Sequence, residues 1–141
     1  MKCAILMLSL VSYGAFAGSA KDEADKAEWN KGMLEHVAKV KAKCGTDVKH
    51  KLADAFLTSS FRKEGLNPAG WCGAALTSLS DVCEDAVYKK SAAKIKSFNC
   101  TPSKTEDEFK LEMKGAELML TVGPKASNTE TKAATWLKEN L

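Results

Sequence analysis

Apolar residues recur at helical spacing in the first two thirds of the chain and at strand spacing after it. Over residues 21–44, Met33, Val37, Val40 and Cys44 stand at i, i+4, i+7 and i+11, with Leu34 beside them and Lys and Glu on the other face. That is the period of an amphipathic helix. Gly32 weakens its middle, the acidic start from Lys21 to Glu28 reads as a frayed end, and Gly45 suits a C-cap. A second helix is expected over residues 47–61, with Val48, Leu52, Ala55 and Phe56 on one face, although Val48, His50 and Leu52 also alternate as a strand would. After a polar loop at 62–67, Asn67-Pro68 offers an N-cap residue followed by proline at the first turn. Cys72, Ala75, Leu76, Leu79, Val82, Cys83, Ala86 and Val87 then form the cleanest stripe in the chain, and this helix is expected to centre the core.

After Ala93 the period changes. Ile95, Phe98 and Cys100 suit a short strand ended by Thr101-Pro102-Ser103. Phe109, Leu111 and Met113 alternate with charged residues, and past Gly115 so do Leu118, Leu120 and Val122 with Glu117 and Thr121. These two runs predict a hairpin with one apolar face. Gly123-Pro124 stops it, and Ser127 with Glu130 has the spacing of a capping box. The last helix would place Ala133, Leu137 and Leu141 inward, with Trp136 close by. The expected fold is α+β: helices first, then a small antiparallel sheet with a hairpin, then a C-terminal helix. No internal repeat or long linker divides it.

The N-terminus changes the picture of where the chain acts. Lys2, an apolar run from Cys3 to Val11, and small residues at Ala15-Phe16-Ala17 and Gly18-Ser19-Ala20 have the layout of a cleaved secretory signal. Residues 1–20 are expected to leave, and residues 21–141 to form a single domain that is periplasmic or secreted. The run is too short for an anchor, and no later segment is long and apolar enough to be a transmembrane segment. Charge is nearly balanced, at +3 over 141 residues, and Arg62 is the only arginine. Lysines interspersed with acids, lacking the planar arginine fork, point away from nucleic acid.

Loss of Cys3 with the signal leaves Cys44, Cys72, Cys83 and Cys100. An even number in an oxidising compartment predicts two disulfides, and their wide spacing disfavours a zinc site. Cys72 and Cys83 on one continuous helix lie ~16 Å apart along its axis, too far to bond. Each therefore takes a partner from Cys44 and Cys100. Helix and strand lengths do not choose between the two pairings, and the readier closure of shorter loops favours Cys44–Cys72 with Cys83–Cys100.

Candidate chemistry is sparse. His36 and His50 are the only histidines, and neither has a nucleophile or ligand set near it in sequence. The acidic runs Glu84-Asp85 and Glu106-Asp107-Glu108 read as solvated charge. Cys72 at a helix start has no second cysteine at redox spacing and reads as structural. Trp29, Trp71 and Trp136 are the candidate binding aromatics, because tryptophan is enriched where partners dock. No catalytic residue, metal ligand or cofactor is assigned.

Trp71-Cys72-Gly73, then Cys83 and Cys100, a strand pair around Gly115, and Asn128 followed by Trp136-Leu137 make residues 44–141 similar to small exported four-cysteine bacterial proteins with no assigned activity. The resemblance implies an envelope or secreted location and an α+β fold, and brings no catalytic residue. The function expected is non-enzymatic binding of an envelope component or another protein. A small secreted hydrolase with a site assembled only in three dimensions, and a purely structural envelope protein, stand as alternatives.

Overall fold

Helix α1 (Gly14–Cys44) is the longest element of the computed structural model, which describes residues 14–141. The n-region and apolar run of the expected signal, with Cys3, lie outside the described residues. Trp29, Met33, Val40 and Cys44 are buried along α1, while Leu34, one step off the stripe, is exposed. The acidic start of α1 is a regular, anchored helix and not a frayed end. Arg62 reaches it with two nitrogens, Nη2 at 2.6 Å from Asp22 and Nε at 3.1 Å from Asp25. Gly45, at φ +71°, closes the helix and donates its N–H to the Lys41 carbonyl.

The second helix expected over residues 47–61 is replaced by strand β1 (Lys49–Leu52), a 3-10 turn (Asp54–Thr58) and the single helical turn α2 (Ser60–Lys63). The alternating reading of Val48, His50 and Leu52 prevails because β1 finds a partner strand, so sheet pairing outweighs the helical spacing. Phe56 and Phe61 are fully buried, and Ala55 is exposed.

β1 carries the chain back to the level where α1 is in mid-course. Helix α3 (Ala69–Val82) therefore runs parallel to α1, and the two meet along their length. Asn67 caps α3 as expected, its Oδ1 accepting from Ala69 N–H at 2.9 Å. Two glycines allow the close approach. A Cβ on Gly32 would stand 2.9 Å from that of Ala69, and one on Gly73 would collide with the His36 ring. Farther along, Lys43 Nζ bridges Asp81 at 3.2 Å and Glu84 at 2.6 Å.

This parallel packing decides the cystines. Cys44 and Cys83, at the C-terminal ends of the two helices, form one disulfide; Cys72 and Cys100 form the other. The expected pairing, Cys44–Cys72 with Cys83–Cys100, is thus corrected. It required the end of α1 to lie beside the start of α3, and loop length was the wrong criterion once β1 had reversed the chain. Helix α3 also stops at Cys83 and not at Val87. Asp85 accepts from Val87 N–H at 2.9 Å and starts a separate helix α4 (Ala86–Ala92), which leaves Ala86 and Val87 exposed.

Strands β2 (Ser97–Pro102), β3 (Phe109–Lys114) and β4 (Glu117–Val122) follow. β3 and β4 form the expected antiparallel hairpin, joined by a two-residue loop with Gly115 at φ +60°. β2 joins β4 and β1 joins β2, both in parallel, giving a mixed four-stranded sheet in the order β1-β2-β4-β3. Phe98, Cys100, Leu111, Leu118, Leu120 and Val122 share the buried face. On that face α1 packs by β1, α3 by β4, and α5 (Thr129–Asn140) by β3. The fold is α+β, helices first and a helix last, and its two disulfides join α1 to the end of α3 and α3 to β2.

The opposite sheet face carries Lys49, Lys51, Ser97, Asn99, Thr101, Glu117, Met119, Thr121, Lys110, Glu112 and Lys114, none of them fully buried. The capping box expected from Ser127 and Glu130 does not form. The chain turns through the left-handed region at Asn128, φ 54°, so α5 starts at Thr129 and no side chain caps it. Ala133 and Leu137 are fully buried on α5. No helix among the described residues is long and apolar enough to cross a membrane.

Candidate functional site

The three tryptophans divide into two groups. Trp29 is buried in the core and meets Phe56 edge-on at 6.3 Å. Phe56 meets Phe61 at 5.2 Å and Phe61 meets Trp71 at 5.1 Å, both edge-to-face, so a continuous aromatic chain runs from α1 through α2 to the start of α3. Trp71 also donates its indole N–H to the Ala126 carbonyl at 3.2 Å, tying α3 to the segment before α5. Both side chains are thereby occupied in holding elements together.

Trp136 is elsewhere. It lies half-buried on α5, in an open groove of about 360 Å3 floored by Phe109 and Leu111 of β3 and walled by Thr131, Thr135 and Glu139 of α5. The groove exists because the helix layer ends at α5 while the sheet extends to β3, so the inward side chains of β3 are roofed on one side only. β3 is also an edge strand. Its backbone hydrogen bonds run to β4, and among the described residues Phe109–Lys114 makes no other backbone bond. In an antiparallel pair every second residue of an edge strand turns its N–H and C=O outward. The groove thus combines an apolar floor, a helical wall and a row of unpaired backbone groups. Sequence pattern singled out Trp136 but not its setting. Phe109 and Leu111 read only as the inner face of a hairpin, and the i, i+4, i+8 run of Thr131, Thr135 and Glu139 was the remaining signal.

The histidines lie apart from this groove. His36 bridges α1 to α3, with Nδ1 2.9 Å from Thr77 Oγ1 and its ring seated over Gly73. Burial pushes its pKa below the ordinary histidine value, assisted by Lys39 and opposed by Glu35 and Glu130. His50 stands on β1 beside a depression shared with Lys26, Trp29 and Asp54, and burial lowers its pKa too. A hydroxyl within reach of an imidazole has the composition of a nucleophile and base. In the His36–Thr77 pair, however, Gly73 covers the ring, and neither residue lines the Trp136 groove or the depression beside His50. Among the described residues no three of His, Cys, Asp and Glu are grouped to hold a metal ion.

No protein-family model matches the chain, and no curated protein or solved structure matches it either.

Proposed function

We propose that this chain is an exported, disulfide-stapled binding protein that takes an extended polypeptide segment as a fifth strand along β3. The observation that carries the reading is the coincidence of the unpaired β3 edge with the Trp136 groove. A peptide laid antiparallel or parallel to β3 would satisfy the outward N–H and C=O groups, and every second side chain would drop into the groove over Phe109 and Leu111. Lys132 and Glu139 line the groove with opposite charges and give such a segment a preferred direction. The partner class is a peptide or protein segment with apolar residues at alternate positions and a charge beyond them.

The test is selection of displayed random dodecapeptides on the oxidised protein, followed by amide exchange of the complex. Enriched peptides should show alternating apolar residues, lose about tenfold or more in affinity with Trp136→Ala, and newly protect alternate amides of β3. Peptides that keep full affinity for Trp136→Ala, or leave the β3 amides unprotected, would overturn the assignment. Export rests on the leader-like N-terminus, with two disulfides as support. N-terminal sequencing of protein recovered outside the cytoplasm should begin at Gly18 or Lys21, and a start at Met1 rules cleavage out.

A further inference from the structure

A second depression, also about 360 Å3, opens where the parallel strands β1 and β2 end. Residues after β1 (Thr58, Ser59, Ser60 and Lys63) form one side of it, and residues at the end of β2 (Pro102, Ser103 and Lys104) the other. No carboxylate lines it. Lys63 and Lys104, like most lysines of the chain, make no ion pair among the described residues. The hydroxyls are unequal. Ser59 Oγ donates to the Phe56 carbonyl at 2.8 Å and Thr58 Oγ1 to the Ala55 carbonyl at 3.3 Å. Ser103 Oγ bonds Glu108 and accepts from Thr105 N–H. Of these hydroxyls, only Ser60 Oγ has no hydrogen-bond partner among the described residues.

We infer that this pocket binds a small molecule bearing a dianionic phosphoryl group, independently of the peptide groove. Lys63 and Lys104 line one cavity that no carboxylate lines, and a dianion matches their combined charge. Ser60 supplies a neutral donor beside them, and Thr58 and Ser59 retain acceptor capacity for hydroxyls on the rest of the ligand. The place in the fold is analogous to that of open α/β sheets, where ligands bind beyond the carboxyl ends of parallel strands. Glu108 holds Ser103 at the rim, so a ligand contacts that side through Lys104.

The experiment is calorimetric titration of the oxidised protein with inorganic phosphate and, separately, acetate, with amide shifts followed in parallel. Phosphate should bind saturably and more tightly than acetate, and shift the amides of Ser60, Lys63 and Lys104. Lys63→Gln or Lys104→Gln should each weaken it about tenfold with unchanged thermal midpoint, while Lys89→Gln leaves it unaltered. Absence of saturable phosphate binding, or equal affinity in the Lys63→Gln/Lys104→Gln double variant, would overturn the site. Shifts confined to other residues of the native protein would do the same without any variant.

Discussion

His36 shows how one side chain reconciles two demands. Its ring fills the space that a Gly73 side chain would occupy, and its Nδ1 meets Thr77, so the parallel helices interlock through an imidazole. That position costs it solvation, which is why its pKa lies below the ordinary value, as does that of His50. A histidine with a lowered folded pKa binds fewer protons when folded than when unfolded. The stability it protects is complete above the unfolded pKa near 6.5 and is lost as pH falls through the folded value. Urea unfolding at pH 7 and pH 5 should show lower stability at pH 5. The double variant His36→Gln/His50→Gln should show a smaller difference between the two pH values. An equal or larger difference in the variant contradicts this account.

At the scale of elements, the decisive contact is the parallel pairing of α1 with α3, and the cystines report it. Peptide mapping without reduction should recover Cys44–Cys83 and Cys72–Cys100. With sequence separations of 39 and 28, replacing either pair by alanines should cost roughly 3.5–4 kcal/mol in the chain-entropy account, read from denaturant midpoints. A Cys44–Cys72 peptide would mean that the two helices run antiparallel. Helix α1, the α3 stripe up to Cys83, the hairpin and the inward face of α5 were legible because each is set by periodicity within one segment. What periodicity could not give was direction. The four residues of β1 are too few to establish a period against the helical spacing around them, yet they reverse the chain and so fix the partners of all four cysteines. Val87 misled for a related reason: it continues the spacing of α3 across a break made by Asp85, a polar residue outside the apolar count. Trp136 was visible as a residue, but its groove depends on where the helix layer stops. The phosphate-class pocket joins residues about forty apart in sequence and left no local mark.

At the scale of the whole molecule, the helix layer covers one face of the sheet and ends with α5 over part of β3, while the parallel strand ends leave a polar cavity near β1. The two proposed sites therefore use different borders of one sheet, and occupation of one leaves the other open. The order β1-β2-β4-β3 has a further consequence in time. The β3–β4 hairpin is local and closes in about 1–10 μs. β2 is different: its neighbours are β1, some fifty residues upstream, and β4, which is made after it. Long-range parallel pairing is intrinsically slow. A chain emerging from the ribosome cannot seat β2 between its neighbours until nearly all of it has been synthesised, so the central strand, with Cys100, is locked only at the end. Under the proposal that the chain is exported, that late closure would keep it passable while it threads a membrane.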